Sequence, residues 1–170
     1  IRKRIIRESA WRTSTQYFHK VIKETKMLPT IDFNKQLIKL RKQCIELFQK
    51  HLLGQEISNG IIEKLKAQLV KFSKQARSAN RDKIQIYLDE LIEAVSHKAK
   101  EFYANLTLPV KTVSLFDEKN YLEKHLNKKY AGEEITKIAF RKKDMLLKQH
   151  YQDCQTRNHA ALIEFIQSYG

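Results

Sequence analysis

The chain has 170 residues, with 33 Lys+Arg against 19 Asp+Glu and a formal net charge of +14. Its two cysteines, Cys44 and Cys154, have neither the spacing of a disulfide framework nor that of a metal motif, which favours a reducing compartment. No run approaches the roughly 20 apolar residues of a membrane-spanning helix, and no signal-peptide pattern is present, so the expected location is cytoplasmic, at or away from a membrane surface.

Only four glycines and two prolines occur, far fewer than an average globular chain carries. A chain so poor in breakers has few places to turn, which predicts a handful of long helices. The first spans about residues 2–26, with Ile6, Ala10, Trp11, Phe18, Val21 and Ile22 as a stripe interrupted by the polar stretch 12–16. Eight basic and two acidic groups fall in residues 1–30, and Arg2, Lys3, Arg4, Arg7 and Arg12 cluster there. Such a face suits anionic lipid, nucleic acid or an acidic protein surface. The step Leu28-Pro29-Thr30 ends this helix, with Thr30 as the expected cap of the next.

The second helix, about 31–52, has the most regular stripe: Phe33, Leu37, Leu40, Cys44, Phe48 and Leu52. Gly54 follows where a left-handed cap is wanted. A third helix is expected over 56–77 and a fourth over 80–105, separated by a hinge at Ser78-Ala79-Asn80. After a loop containing Pro109, the fifth covers about 115–130. Gly132 then precedes a sixth over 133–168, opening on Glu133 and Glu134 and polar enough over 149–158 to bend or fray. No exact internal repeat and no low-complexity segment is present. The expected fold is all-α, an elongated bundle of five to six long antiparallel helices in a single domain. Residues 1–110 form a first bundle and 111–170 a second, looser part. Pro29, Asn80, Pro109 and Gly132 are the expected hinges.

Catalytic motifs are missing. There is no phosphate-cradling glycine loop, no HExxH and no CxxC, so the chain is not expected to be an enzyme. His150, Cys154 and His159 lack standard zinc spacing, and no metal is assigned to them. Arg12 and His19 have the loose spacing of some all-α ribonucleases, without the polar residue usually found after the arginine. Arg141, Lys142 and Lys143 form a second basic run.

The Leu28-Pro29-Thr30 step, Lys39-Leu40-Arg41, Cys44-Ile45-Glu46-Leu47-Phe48, Gln68-Leu69, Phe72-Ser73-Lys74-Gln75 and the later stretches 88–103 and 121–135 resemble the helical middle domain of guanylate-binding proteins. These are large GTPases of the dynamin superfamily, related to the atlastins. The resemblance covers residues 5–150, while 155–170 and the basic excess depart from the family pattern. It implies a helical stalk attached to a GTPase domain upstream of Ile1, the chain being a piece of something longer. GTP and magnesium would be held in that domain, and no residue here corresponds to a GTP contact. The implied function couples nucleotide-driven dimerisation to membrane remodelling or tethering, with self-association and an anionic membrane as partners. The alternative is a freestanding basic helical module that binds nucleic acid or anionic lipid headgroups.

Overall fold

The computed structural model describes residues 2–54, 59–129, 137 and 140–169. Among them are five helices and no strand: α1 (Arg2–Glu24), α2 (Thr30–His51), α3 (Asn59–Ala104), α4 (Thr112–Lys129) and α5 (Phe140–Tyr169). The break expected at 78–80 is not there, and the predicted third and fourth helices are one. Serine and asparagine cost only some tenths of a kcal/mol inside a helix, and tertiary contacts override that. Ser73 Oγ bonds back to the Leu69 carbonyl at 2.8 Å, and Asn80 is buried with its amide committed elsewhere. The stretch 149–158 does not fray either. It lies within α5 because Tyr151, Cys154 and Asn158 give it a buried stripe. Past it, Phe165 and Ile166 are exposed. Gly132, Glu133 and Glu134 lie outside the described residues.

Thr30 is the first helical residue rather than the cap. Pro29 takes the cap position, at φ −53° and ψ 147°, and its carbonyl accepts the Phe33 amide at 2.9 Å. At the other end of α2 the left-handed conformation is shared by Leu53, at φ 53°, and Gly54, at φ 77°.

The chain divides into two units, Ile1–Gln85 and Ile86–Gly170, so the division falls inside α3 and not at the Pro109 loop. In unit 1, α1, α2 and the first part of α3 enclose a core that includes Phe18, Leu37, Phe48 and Leu69. In unit 2, the rest of α3, α4 and α5 enclose Val95, Tyr103, Leu126 and Cys154.

The units repeat one another. Ala10, Ser14 and Phe18 of α1 recur as Leu91, Val95 and Ala99, each 81 positions on and each buried. Phe33, Leu40 and Cys44 of α2 recur 82 positions on as Leu115, Leu122 and Leu126 of α4, again all buried. Leu65, Leu69, Ser73, Ala76 and Asn80 recur 78 positions on as Lys143, Leu147, Tyr151, Cys154 and Asn158, and all ten are buried. One polar device is shared as well. Asn80 Nδ2 donates to the Leu28 carbonyl at 2.9 Å, and its Oδ1 accepts the Leu28 amide at 3.3 Å. In unit 2, Asn158 holds Val110 in the same two-bond clamp, at 3.0 and 2.8 Å. Each clamp ties the third helix of a unit to the proline-containing connection between its first two. In the second connection the Leu108–Pro109 bond is cis.

Candidate binding surface

The buried row Ala10, Ser14 and Phe18 fixes how α1 sits, because residues four apart share one helix face. Ser14 Oγ donates to the Cys44 carbonyl at 2.7 Å and joins α1 to α2 inside the core. The stripe expected to break at the polar stretch 12–16 is carried through it by buried Ser14. Thr13 Oγ1 bonds back to the Ser9 carbonyl at 2.8 Å and Thr15 Oγ1 to that of Trp11 at 3.1 Å, so both hydroxyls are satisfied locally.

With that face inward, Arg4, Arg7, Trp11 and Thr15 border a cleft of about 580 Å³. Trp11 meets Phe48 edge to face, their ring centres 6.1 Å apart, and Ile61 of α3 completes the apolar floor. Arg12 and Glu8 also line it. Arg4 Nε and Glu8 Oε1 are 3.0 Å apart, so this one carboxylate offsets part of the cleft's positive charge. Arg2 and Lys3 are exposed on the same helix. The chemistry offered is three guanidinium groups over an aromatic and aliphatic floor. A guanidinium fork fits phosphate or carboxylate oxygens in two-point fashion, and the floor accepts an apolar stem beneath them.

The second basic run divides. Arg141 and Lys142 are exposed, but Lys143 is only 5% exposed and donates to Asn127 Oδ1 at 2.7 Å. Lys143 occupies the core position that Leu65 fills in unit 1, which removes it from any surface for anions. Of the expected hinges, Pro29 and Pro109 lie in connections, Asn80 lies within α3, and Gly132 is outside the described residues.

Arg12 and His19 are not brought together. They are seven residues apart on one helix, about 10 Å along its axis. Only Arg12 lines the cleft, whereas the His19 ring lies 4.4 Å from that of Phe72. His150, Cys154 and His159 are likewise separated in role. His150 Nε2 is 2.9 Å from Ser96 Oγ, Cys154 is fully buried, and His159 is exposed. Among the described residues no group of three or more potential metal ligands exists, and no helix is long and apolar enough to cross a membrane. Tyr103 is 2% exposed and belongs to the core of unit 2, so it has no face for a ligand.

Both thiols are packing groups. Burial pushes Cys44 up to about 11 from the usual value near 9.0, partly countered by the Ser14 hydroxyl. Burial raises Cys154 too, against a lowering influence from Arg157. A folded-state pKa above the unfolded one lends stability below pH 9 that is lost as pH rises towards 11. At pH 8 neither thiol should react with an aromatic disulfide reagent in the native chain, and both should react in denaturant. Rapid native labelling would contradict this packing.

Comparison with protein-family models, with curated proteins and with solved structures produced no match.

The surfaces legible from sequence were the charged ones. Asn158, Ser14 and the Lys143–Asn127 pair were missed, because a polar residue on a helix reads as solvent-facing until its partner is known. The sequence signal for Asn158 is confined to a second asparagine 78 positions after Asn80.

Proposed function

We propose that this chain is a non-catalytic helical assembly module that docks on an anionic membrane surface through α1. The observation that carries this reading is the α1 cleft, where Arg4, Arg7 and Arg12 surround Trp11, Phe48 and Ile61. Each basic side chain near an anionic bilayer contributes about 1 kcal/mol, and tryptophan favours the headgroup level. Arg2, Lys3, Arg4, Arg7 and Arg12, all exposed, together supply on the order of a thousandfold preference for anionic over neutral lipid at low salt. In this reading the helices of each unit run alternately up and down.

Resemblance to the guanylate-binding-protein middle domain supports placing the module in a dynamin-like GTPase. GTP and magnesium would then belong to a separate domain. A P-loop encoded ahead of Ile1 is the result this part of the reading requires, and its absence there would end it.

Docking itself is tested by co-sedimentation with phosphatidylserine-containing and pure phosphatidylcholine vesicles. Wild type should pellet with the former alone, and R4Q/R7Q/R12Q should bind about a hundredfold more weakly. Equal pelleting of wild type and variant would contradict the assignment. Tighter binding to RNA or DNA than to anionic vesicles at physiological salt would favour the nucleic-acid reading instead.

A further inference from the structure

The repeat allows one surface to be judged against its counterpart in the same molecule. In unit 1 a groove of about 500 Å³ runs between α2 and α3, floored by Ile38, Ile45, Leu69 and Val70. Ile38 is 61% exposed and Val70 41% exposed. In unit 2 the corresponding groove runs between α4 and α5 and is polar: Glu123, Asn127, Asp144 and Lys148 are among its lining residues. By the register of the core, Asn120, Asn127 and Lys148 stand where unit 1 has Ile38, Ile45 and Val70. Leu147 stays buried opposite Leu69, while the neighbouring core position changes from Leu65 to Lys143, which donates to Asn127.

Three-helix packing therefore does not require apolar side chains at 38 and 70, whereas Ile45 also packs against the core of unit 1. A single exposed isoleucine calls for no explanation, but adjoining apolar residues lining one groove mark an interaction surface. The rim identifies the kind of partner. Arg41, Lys42 and Lys66 flank the floor, with Glu46 as the one acid among the described residues that line the groove. Lys66 also reaches Glu63 at 3.3 Å, an exposed pair of little energetic consequence.

We propose that this α2–α3 groove is a docking site for an acidic amphipathic helix of a partner protein. Its apolar stripe would lie on Ile38, Ile45 and Val70, and its carboxylates would meet Arg41, Lys42 and Lys66, the helix-in-groove mode of recognition. A second copy of this chain is disfavoured as the occupant, because at +14 it would bring a like-charged surface to a basic rim. The site is on a different face from the α1 cleft, shares no residue with it, and does not depend on membrane docking.

The test uses a fluorescein-labelled helical peptide with leucines at i, i+3, i+4 and i+7 flanked by glutamates, read by anisotropy against the whole chain. A partner peptide with lysines in place of the glutamates is the control. The acidic peptide should bind in the micromolar range and weaken with salt, and the basic one should bind at least about tenfold more weakly. I38N/V70K installs the residues unit 2 itself carries at the two exposed positions. It should lower affinity at least about tenfold while helix content and anionic-vesicle binding stay as in wild type. Should that variant fold poorly, R41E/K66E tests the rim alone and should reverse the preference between the two peptides. Equal binding of the acidic peptide to wild type and the groove variant would overturn the proposal, as would failure of wild type to bind it. A wild-type dimer that the groove variant abolishes would also overturn it, making a second copy the occupant.

Discussion

Replacing Asn80 or Asn158 by alanine should destabilise the chain by about 2–4 kcal/mol in urea unfolding, far beyond the usual cost of a polar-to-alanine change within a helix. Each asparagine is 4% exposed and makes two bonds to one residue's backbone, Leu28 or Val110. Alanine removes both and leaves a backbone donor and acceptor without their partner, which costs about 1–3 kcal/mol per group where water cannot replace it. Asn80→Asp separates the two bonds. Its carboxylate can still accept the Leu28 amide, but nothing donates to the Leu28 carbonyl and a charge is buried. Burial raises the carboxyl's folded pKa, so the loss should grow as pH rises above about 4, where the unfolded side chain ionises. Losses under 0.5 kcal/mol for both alanine variants would show that the clamps do not hold the connections.

Phe48→Ala should cost about 3–5 kcal/mol, the range for deleting a fully enclosed aromatic ring. Phe48 has no exposed surface, and Trp11 packs edge-on against it. The same variant should shift Trp11 emission to longer wavelength, because water gains the space beside the indole. Ile38→Asn, on the same helix but 61% exposed, should change stability by less than about 0.5 kcal/mol. That contrast separates core from docking surface on α2. A comparable loss at both positions would mean Ile38 is a packing residue and would remove the physical basis of the groove proposal.

The stripe of α2 was legible because regular i, i+4 spacing and a Leu-Pro step leave little choice of face or boundary, whereas that of α1 was read as broken where buried Ser14 continues it. The α3 helix was misread as two for a definite reason. Ser78 and Asn80 look like breakers to local propensity, but Asn80 is spent on a residue 52 positions away. The repeat escaped notice because it conserves burial and not residue identity. Leu65 corresponds to Lys143 and Ser73 to Tyr151, pairs that share position but no chemistry. The basic character of α1 was plain from sequence. The apolar floor beneath it was not, since it draws Phe48 and Ile61 from two other helices. Lys143 illustrates the reverse, a charge in a basic run that the fold turns inward to Asn127.

Trp11 is the single tryptophan of the chain and lines the α1 cleft, so its fluorescence reports on the proposed site without a label. Titration with phosphatidylserine-containing vesicles at low salt should move its emission to shorter wavelength, saturably. Raising ionic strength to about 1 M, where the screening length falls to about 3 Å, should reverse the shift. The R4Q/R7Q/R12Q variant should show no shift at the same lipid concentration. Unchanged emission in a wild-type sample that nonetheless pellets with the vesicles would place the contact elsewhere and contradict the account.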